Sequence, residues 1–199
     1  MIVVCDPNGI KLAVITVRKG GLVVFPTDTV YGVGCDPRNP NAVESIYRIK
    51  KRSGTKNLPV LGYSKEEISK IAIFDKISNK IADKFWPGPI TLILKLKDER
   101  VKKSMNLDDK IAVRVPNHPC ALSLLKKCKL IIGTSANYSG NAPSSDPKEV
   151  LKNFSGFDVF LDGGRIPNSN ESTIIEIVEG SLKILRNGKI SKMELTAVL

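Results

Sequence analysis

The sequence predicts an α/β protein with a mixed sheet, and three observations carry that reading. Short runs rich in Val, Ile and Leu recur along the chain, mostly bounded by Gly, Pro, Asn or Asp, as strands are. Segments of helical pattern lie between several of them, and the final third reads as strands joined by loops. In chain order, a helical pattern at 10–19 precedes the apolar run 22–25. A helix over 41–51 follows "NPN", with Pro40 near its first turn, where a missing N–H costs nothing. The strand 58–61 comes next, then helical patterns at 65–72 and 76–85 and strands at 90–96 and 111–115. A helix at 119–127, a strand at 130–132, a helix at 147–153 and strands at 157–161, 173–178 and 182–185 complete the order. Between the last two strands "VEGSL" has the composition of a hairpin turn.

With 199 residues, 42% hydrophobic and 26% charged, the chain can bury a proper core. No internal repeat, low-complexity linker or composition shift divides it, so one domain over 1–199 is expected. The net charge of +11 favours an anionic partner such as a nucleotide, RNA or a membrane surface, while a surface merely rich in lysine is the alternative. Cysteines 5, 35, 120 and 128 show no CxxC spacing, and with the one histidine, His118, they form no zinc signature. They read as thiols in a reducing compartment. The N-terminus lacks a leader pattern, and no run approaches the roughly 20 apolar residues of a membrane span, so a cytoplasmic protein is expected.

Four stretches carry polar residues where apolar ones would be expected to continue. "VVFPTDTVYGVG", 23–34, runs a strand into Thr27, Asp28 and Thr29. Strand ends are where open α/β sheets bind ligands, although an Asx or ST turn would use the same residues locally. "YRIKKRSGTKNLPVL", 47–61, ends a helix in Lys50, Lys51 and Arg52 and adds Lys56 four residues later. Helix-end cations cap the dipole, but a further cation across a Gly-containing loop suits a polyphosphate. There is no Walker A sequence. "IAVRVPNHP", 111–119, places Arg114 in an apolar strand, where it needs an internal carboxylate or a bound anion, with His118 placed to cap the next helix. "LIIGTSANYSG", 130–140, releases Thr134, Ser135, Asn137 and Ser139 in a turn able to bind phosphate without charge. No GxSxG elbow accompanies them. The loop 163–172 reads as a site loop ending in Ser172 and Thr173, and Arg186 stands at a strand boundary.

In order, "KGGLVVFPTDTVYGVG", "IYRIKKR", "FWPGPITLIL", "AVRVPNHP", "TSANYSG", "ESTIIE" and "ILRNG" make the chain resemble the YrdC-type threonylcarbamoyl-AMP synthases over about residues 9–190. The resemblance implies an open, twisted α/β fold with a basic concave face. There L-threonine, bicarbonate or CO2, and ATP would yield threonylcarbamoyl-AMP and pyrophosphate, the first step of N6-threonylcarbamoyladenosine formation in tRNA. It implies that Thr29, Arg114, Thr134 and Ser172 hold L-threonine, Arg114 by its carboxylate. Lys50, Arg52 and Lys56 would bind the ATP phosphates, Lys50 and Arg52 also stabilising the transition state, and Ser135, Asn137, Ser144 and Arg186 would line the nucleotide pocket. Mg²⁺ would arrive with ATP rather than at a permanent protein site, and Gly54 would sit in a lid loop over 53–57. Double-stranded RNA or tRNA, and downstream threonylcarbamoyl-transferase proteins, are the implied partners.

The chain departs from the family where Ser53 and Gly54 follow Arg52 in place of a proline and where Leu61 replaces a histidine. The run Pro143, Ser144, Ser145 stands for the usual serine-proline-threonine. Ending at Leu199, it matches the short, single-domain form. Two rival readings stay open on sequence alone: a non-catalytic RNA-binding protein, and a nucleotide hydrolase with Asp28 as its base.

Overall fold

The computed structural model describes residues 1–52, 57–167 and 170–199. Its elements in order are β1 (Ile2–Val4), α1 (Pro7–Arg18), β2 (Val23–Pro26), β3 (Tyr31–Gly34), α2 (Pro40–Ile49), β4 (Val60–Gly62), α3 (Lys65–Ser69), β5 (Ala72–Ile73), α4 (Lys76–Phe85) and β6 (Ile90–Leu96). There follow α5 (Glu99–Met105), β7 (Lys110–Arg114), α6 (Pro119–Cys128), β8 (Leu130–Ile132), β9 (Thr134–Ser135), α7 (Pro147–Asn153), β10 (Val159–Asp162), β11 (Thr173–Val178), β12 (Ser181–Arg186) and α8 (Lys192–Thr196).

The strands form two sheets where one was expected. The first runs β1-β10-β2-β3-β9, parallel through β1, β10 and β2 and antiparallel beyond. The second runs β12-β11-β6-β7-β4-β8, with β5 on β6, and mixes both senses. The mixed character follows the sequence reading. Within the first sheet β3 folds back on β2, turning the apparent continuation of one strand into a hairpin.

Local chemistry explains the elements. Asp6 accepts from Gly9 N and Pro7 opens α1, whose Ile10, Ala13, Val14 and Val17 are buried on one helical face. Asn39 and Pro40 begin α2 in the same way. The run "VVFP" is apolar throughout because the sheet holding β2 is covered twice. Val23 and Phe25 pack with α1 and α6, while Val24 packs with Val150 and Phe154 of α7 and its C-terminal boundary. In β6, by contrast, Ile90, Leu92 and Leu94 enter the main core, which leaves Thr91 and Ile93 for the opposite face.

Six elements escape the sequence reading: β1, β3, β5, β9, α5 and α8. None exceeds seven residues, too short to show a period, and β3 is half glycine. The helical pattern at 65–72 resolves into α3 and β5. The expectation of four thiols holds for Cys35 and Cys128 but is corrected for Cys5 and Cys120, which form a disulfide between the approach to α1 and the first turn of α6. Among the described residues no helix is long and apolar enough to cross a membrane.

The sheets meet where β3 ends against the 131–133 segment. Ile132 N donates to Cys35 O at 2.9 Å, and a Cβ on Gly34 would stand 1.8 Å from Ile132 O. Only a residue without a side chain permits that approach. We expect Gly34→Ala to lower stability by at least about 1–3 kcal/mol, read as a shift of the urea midpoint at unchanged slope. An unshifted midpoint would show that the two sheets can part at this seam.

Candidate functional site

A cavity of about 320 Å³ opens between the sheets. One wall comes from the β2–β3 turn, β9 and the segment after α2. The other comes from β6, β7, β11 and β12.

The turn is built by Thr27. Its hydroxyl donates to Val30 O at 2.7 Å and accepts from Thr29 N and Val30 N, an ST turn that closes the hairpin. The turn reading of "PTDT" is realised by Thr27, while Asp28 and Thr29 hold Arg114. That arginine is 6% exposed. Its Nη2 meets Asp28 Oδ1 at 2.6 Å, Nη1 donates to Thr29 Oγ1 at 3.1 Å and Nε to Gly88 O at 2.9 Å. Asp28 Oδ1 also accepts from Asn117 N at 2.9 Å, while Oδ2 is buried without a partner among the described residues. Burial lowers the Arg114 proton affinity, Asp28 opposes that, and the Arg186 charge adds to it. A guanidinium nonetheless keeps its proton.

Arg186 at the end of β12 is held in the same manner. Nη1 reaches Glu171 Oε1 at 2.6 Å, Nη2 donates to Ser172 Oγ at 2.9 Å and Nε to Ser172 O at 3.0 Å. Ser172 Oγ lies 2.9 Å from Thr91 Oγ1, both buried. The chain crosses this point at Gly188, where a Cβ would come within 2.4 Å of the backbone of Glu171, Ser172 and Thr173. Arg52 completes the cationic set, with Nη2 donating to Asn57 O at 3.1 Å. Burial lowers its proton affinity and Tyr47 acts the other way.

Of the residues singled out from the sequence, Thr29, Arg52, Arg114, Thr134, Ser135, Ser172 and Arg186 line the cavity together. Leu61 lines it as an apolar wall. Lys56, with Ser53 and Gly54 of the expected lid, lies outside the described residues, as do 168–169 of the loop 163–172.

Three of the expected residues stand outside the cavity wall. Lys50 is 1% exposed, and its ammonium donates to Ser135 O, to Asn137 O at 2.8 Å and to Asn137 Oδ1 at 3.3 Å, so it has no donor left for a phosphate. Asn137 spends its amide on Lys50 and on Asn141 O. Ser144 accepts Tyr31 N on its carbonyl and Asp146 N on its hydroxyl, outside the cavity wall. His118 caps α6 through Nδ1, as expected, and burial lowers its pKa against the pull of Asp28. Sequence reasoning missed Thr91, Asn57 and Glu171. The signal for Thr91 was present: it is the polar member of an alternating strand, beside Ile174 across the β6–β11 pairing.

The arrangement offers three guanidinium groups, two of them backed by carboxylates, around a set of uncharged hydroxyls. Such a site suits a small ligand bearing more than one anionic group. The chain belongs to the Sua5/YciO/YrdC family, whose model, described as "Telomere recombination", matches residues 16–188. It is 34% identical over 194 residues to the threonylcarbamoyl-AMP synthase of Pyrococcus abyssi, covering 96% of this chain and 57% of that protein. It is 32% identical over 204 residues to the threonylcarbamoyl-AMP synthase of Bacillus subtilis, covering 98% of this chain and again 57% of the relative. The chain thus spans little more than half the length of these curated relatives. The crystal structure of P. abyssi Sua5 complexed with L-threonine superposes with a TM-score of 0.89 at 34% identity, over 96% of this chain and 57% of that one.

Removing Asp28 would strand the buried Arg114 charge. We expect Asp28→Ala to cost about 3–5 kcal/mol of stability, measured by chemical denaturation, and a loss below about 1 kcal/mol would mean that Arg114 finds another anion.

Proposed function

We propose that the protein is an L-threonylcarbamoyl-AMP synthase, condensing L-threonine, bicarbonate or CO2, and ATP into threonylcarbamoyl-AMP and pyrophosphate. The observation that carries this reading is the buried Arg114, fixed by Asp28 and Gly88 with Thr29 on one nitrogen, facing a cavity that also holds Arg186 and Ser172. The names of the relatives support it.

The chemistry asks little of covalent catalysis. The threonine amine takes up carbon dioxide as a carbamate, whose oxygen attacks the α-phosphorus of ATP as pyrophosphate leaves. The protein must hold two anions together and spread the charge that develops, which is positioning and electrostatics. Arg114 is placed to take the amino-acid carboxylate, with Thr29, Thr134 and Ser172 offering hydroxyls. Arg52, Ser135 and Arg186 are placed for the nucleotide, and the transition-state charge falls to Arg52 rather than Lys50. Among the described residues no group of three or more His, Cys, Asp or Glu gathers to hold a metal, and Asp28 and Glu171 are each paired with an arginine. In this reading Mg²⁺ enters as part of the Mg·ATP substrate. Within the cell this is the first step of N6-threonylcarbamoyladenosine synthesis on tRNA, in the cytoplasm, with a separate transferase receiving the adenylate.

The test is mass spectrometry of purified protein with Mg·ATP, bicarbonate and either L-threonine or L-serine. We expect threonylcarbamoyl-adenylate and pyrophosphate only when threonine and bicarbonate are both present. Intact ATP together with salt-sensitive RNA binding would favour the non-catalytic RNA-binding reading. Within the synthase reading, Arg52→Ala lowers kcat about 10²-fold. Arg114→Lys, which loses the planar fork, raises KM for threonine about tenfold or more while sparing KM for ATP. Equal effects on both Michaelis constants would refute this division of labour between the two arginines.

A further inference from the structure

Lys50 is the largest polar side chain with almost no exposure, and among the described residues no carboxylate pairs with it. Its donors all end on one stretch of chain, on Ser135 O, Asn137 O and Asn137 Oδ1. Its own carbonyl accepts from Ser139 N at 2.8 Å, so the end of α2 grips that stretch from both sides of one residue. Asn137 passes the constraint on through its Nδ2 to Asn141 O, and Ala136 N donates to Tyr31 O at 2.8 Å. The ring of Phe154, at the end of α7, lies 5.9 Å from the ammonium. On the far side of the same short stretch, Thr134 and Ser135 line the cavity.

We propose that Lys50 is a positioning residue: its ammonium pins the loop 135–141 and thereby fixes where Ser135 stands in the nucleotide side of the cavity, without touching substrate. Which side of the cavity takes the nucleotide rests on the synthase reading. Three neutral acceptors on one stretch match the three donors of an ammonium, whereas an apolar side chain of similar length would fill the space and leave the carbonyls of Ser135 and Asn137 without a donor. The pin is also conditional. Burial first, and the Arg52 charge second, push the Lys50 pKa from 10.5 down to about 8. The loop and α7 face it with carbonyls, an amide and a ring, and Arg52 is the charged group that acts on it. Because the pKa is lowered, the ammonium is complete well below pH 8 and is lost as the pH rises past that value. The amine then has two donors for three acceptors and turns a lone pair toward oxygen.

The test combines amide hydrogen exchange over 134–141 in the nucleotide-free protein with kcat and KM for ATP, at about pH 7 and pH 9, on wild type, Lys50→Met and Asn137→Ala. Exchange rates are corrected for the intrinsic effect of pH. In wild type we expect protection of 134–141 to fall, and KM for ATP to rise about tenfold, between the two pH values, with kcat at saturating ATP within about threefold. Lys50→Met should show low protection and high KM at both values, with the pH dependence gone. Asn137→Ala, which removes one of the three acceptors, should move both readouts part of the way, and it carries the test if Lys50→Met does not fold. The proposal is overturned if Lys50→Met loses kcat at saturating ATP while protection and KM stay at wild-type values, or if Asn137→Ala leaves protection unchanged. If wild type makes no adenylate, the synthase reading fails, and the exchange comparison still decides whether Lys50 pins the loop.

Discussion

The ion pair between Arg114 and Asp28 is the constraint on which the rest of the site depends. A guanidinium at 6% exposure is tolerated only if every face of it is answered, and here the answers come from separate places in the chain. The β2–β3 turn supplies Asp28 and Thr29, the segment before β6 supplies Gly88 O, and Asn117 N at the entry to α6 shares the Asp28 oxygen. The turn and the segment before β6 are far apart in sequence from each other and from β7. Their convergence on one side chain holds the hairpin of the first sheet against β7 of the second, on the wall of the cavity between the sheets.

The opposite edge of the cavity repeats the device with different material. Glu171 and Ser172 hold Arg186, Thr91 backs Ser172, and Gly188 lets the returning chain lie directly on the peptide units it braces. Each of these two arginines is aimed by a carboxylate that also takes up part of its charge. A site of this kind is ordered before any ligand enters, and the entropic cost of arranging long cationic side chains is met in folding rather than in binding.

Much of this is legible in the sequence, and what is not has physical causes. The apolar run 23–26 broken by hydroxyls, and the arginine in the strand 110–114, announce polar ends to buried strands, and Thr27, Thr29 and Arg114 line the cavity. Residue spacing, however, says which residues lie near one another and not where a side chain points. Lys50 and Arg52 are two apart at a helix end, and the helix turn sends one ammonium into the core and leaves the guanidinium at the cavity. The orientation of Asn137 is hidden for the same cause, since its amide oxygen accepts from the lysine beneath it. Two-residue strands such as β5 and β9 have no periodicity to detect, and β3, "YGVG", offers two glycines and no alternating face. Thr91 is the polar residue near the start of an alternating strand, and its contact with Ser172 gives its hydroxyl a place in the site.

The Cys5–Cys120 bond joins residues 115 apart and so divides the chain into a covalent ring and a tail. Thr29, Arg52, Thr91 and Arg114 belong to the ring, whereas Thr134, Ser135, Ser172 and Arg186 belong to the tail. The tail also sends β10 between β1 and β2 and lays β9 beside β3. A peptide bond broken anywhere inside the ring would leave both fragments tethered with the second half of the cavity still attached, while a break early in the tail would part Thr29, Thr91 and Arg114 from Thr134, Ser135, Ser172 and Arg186.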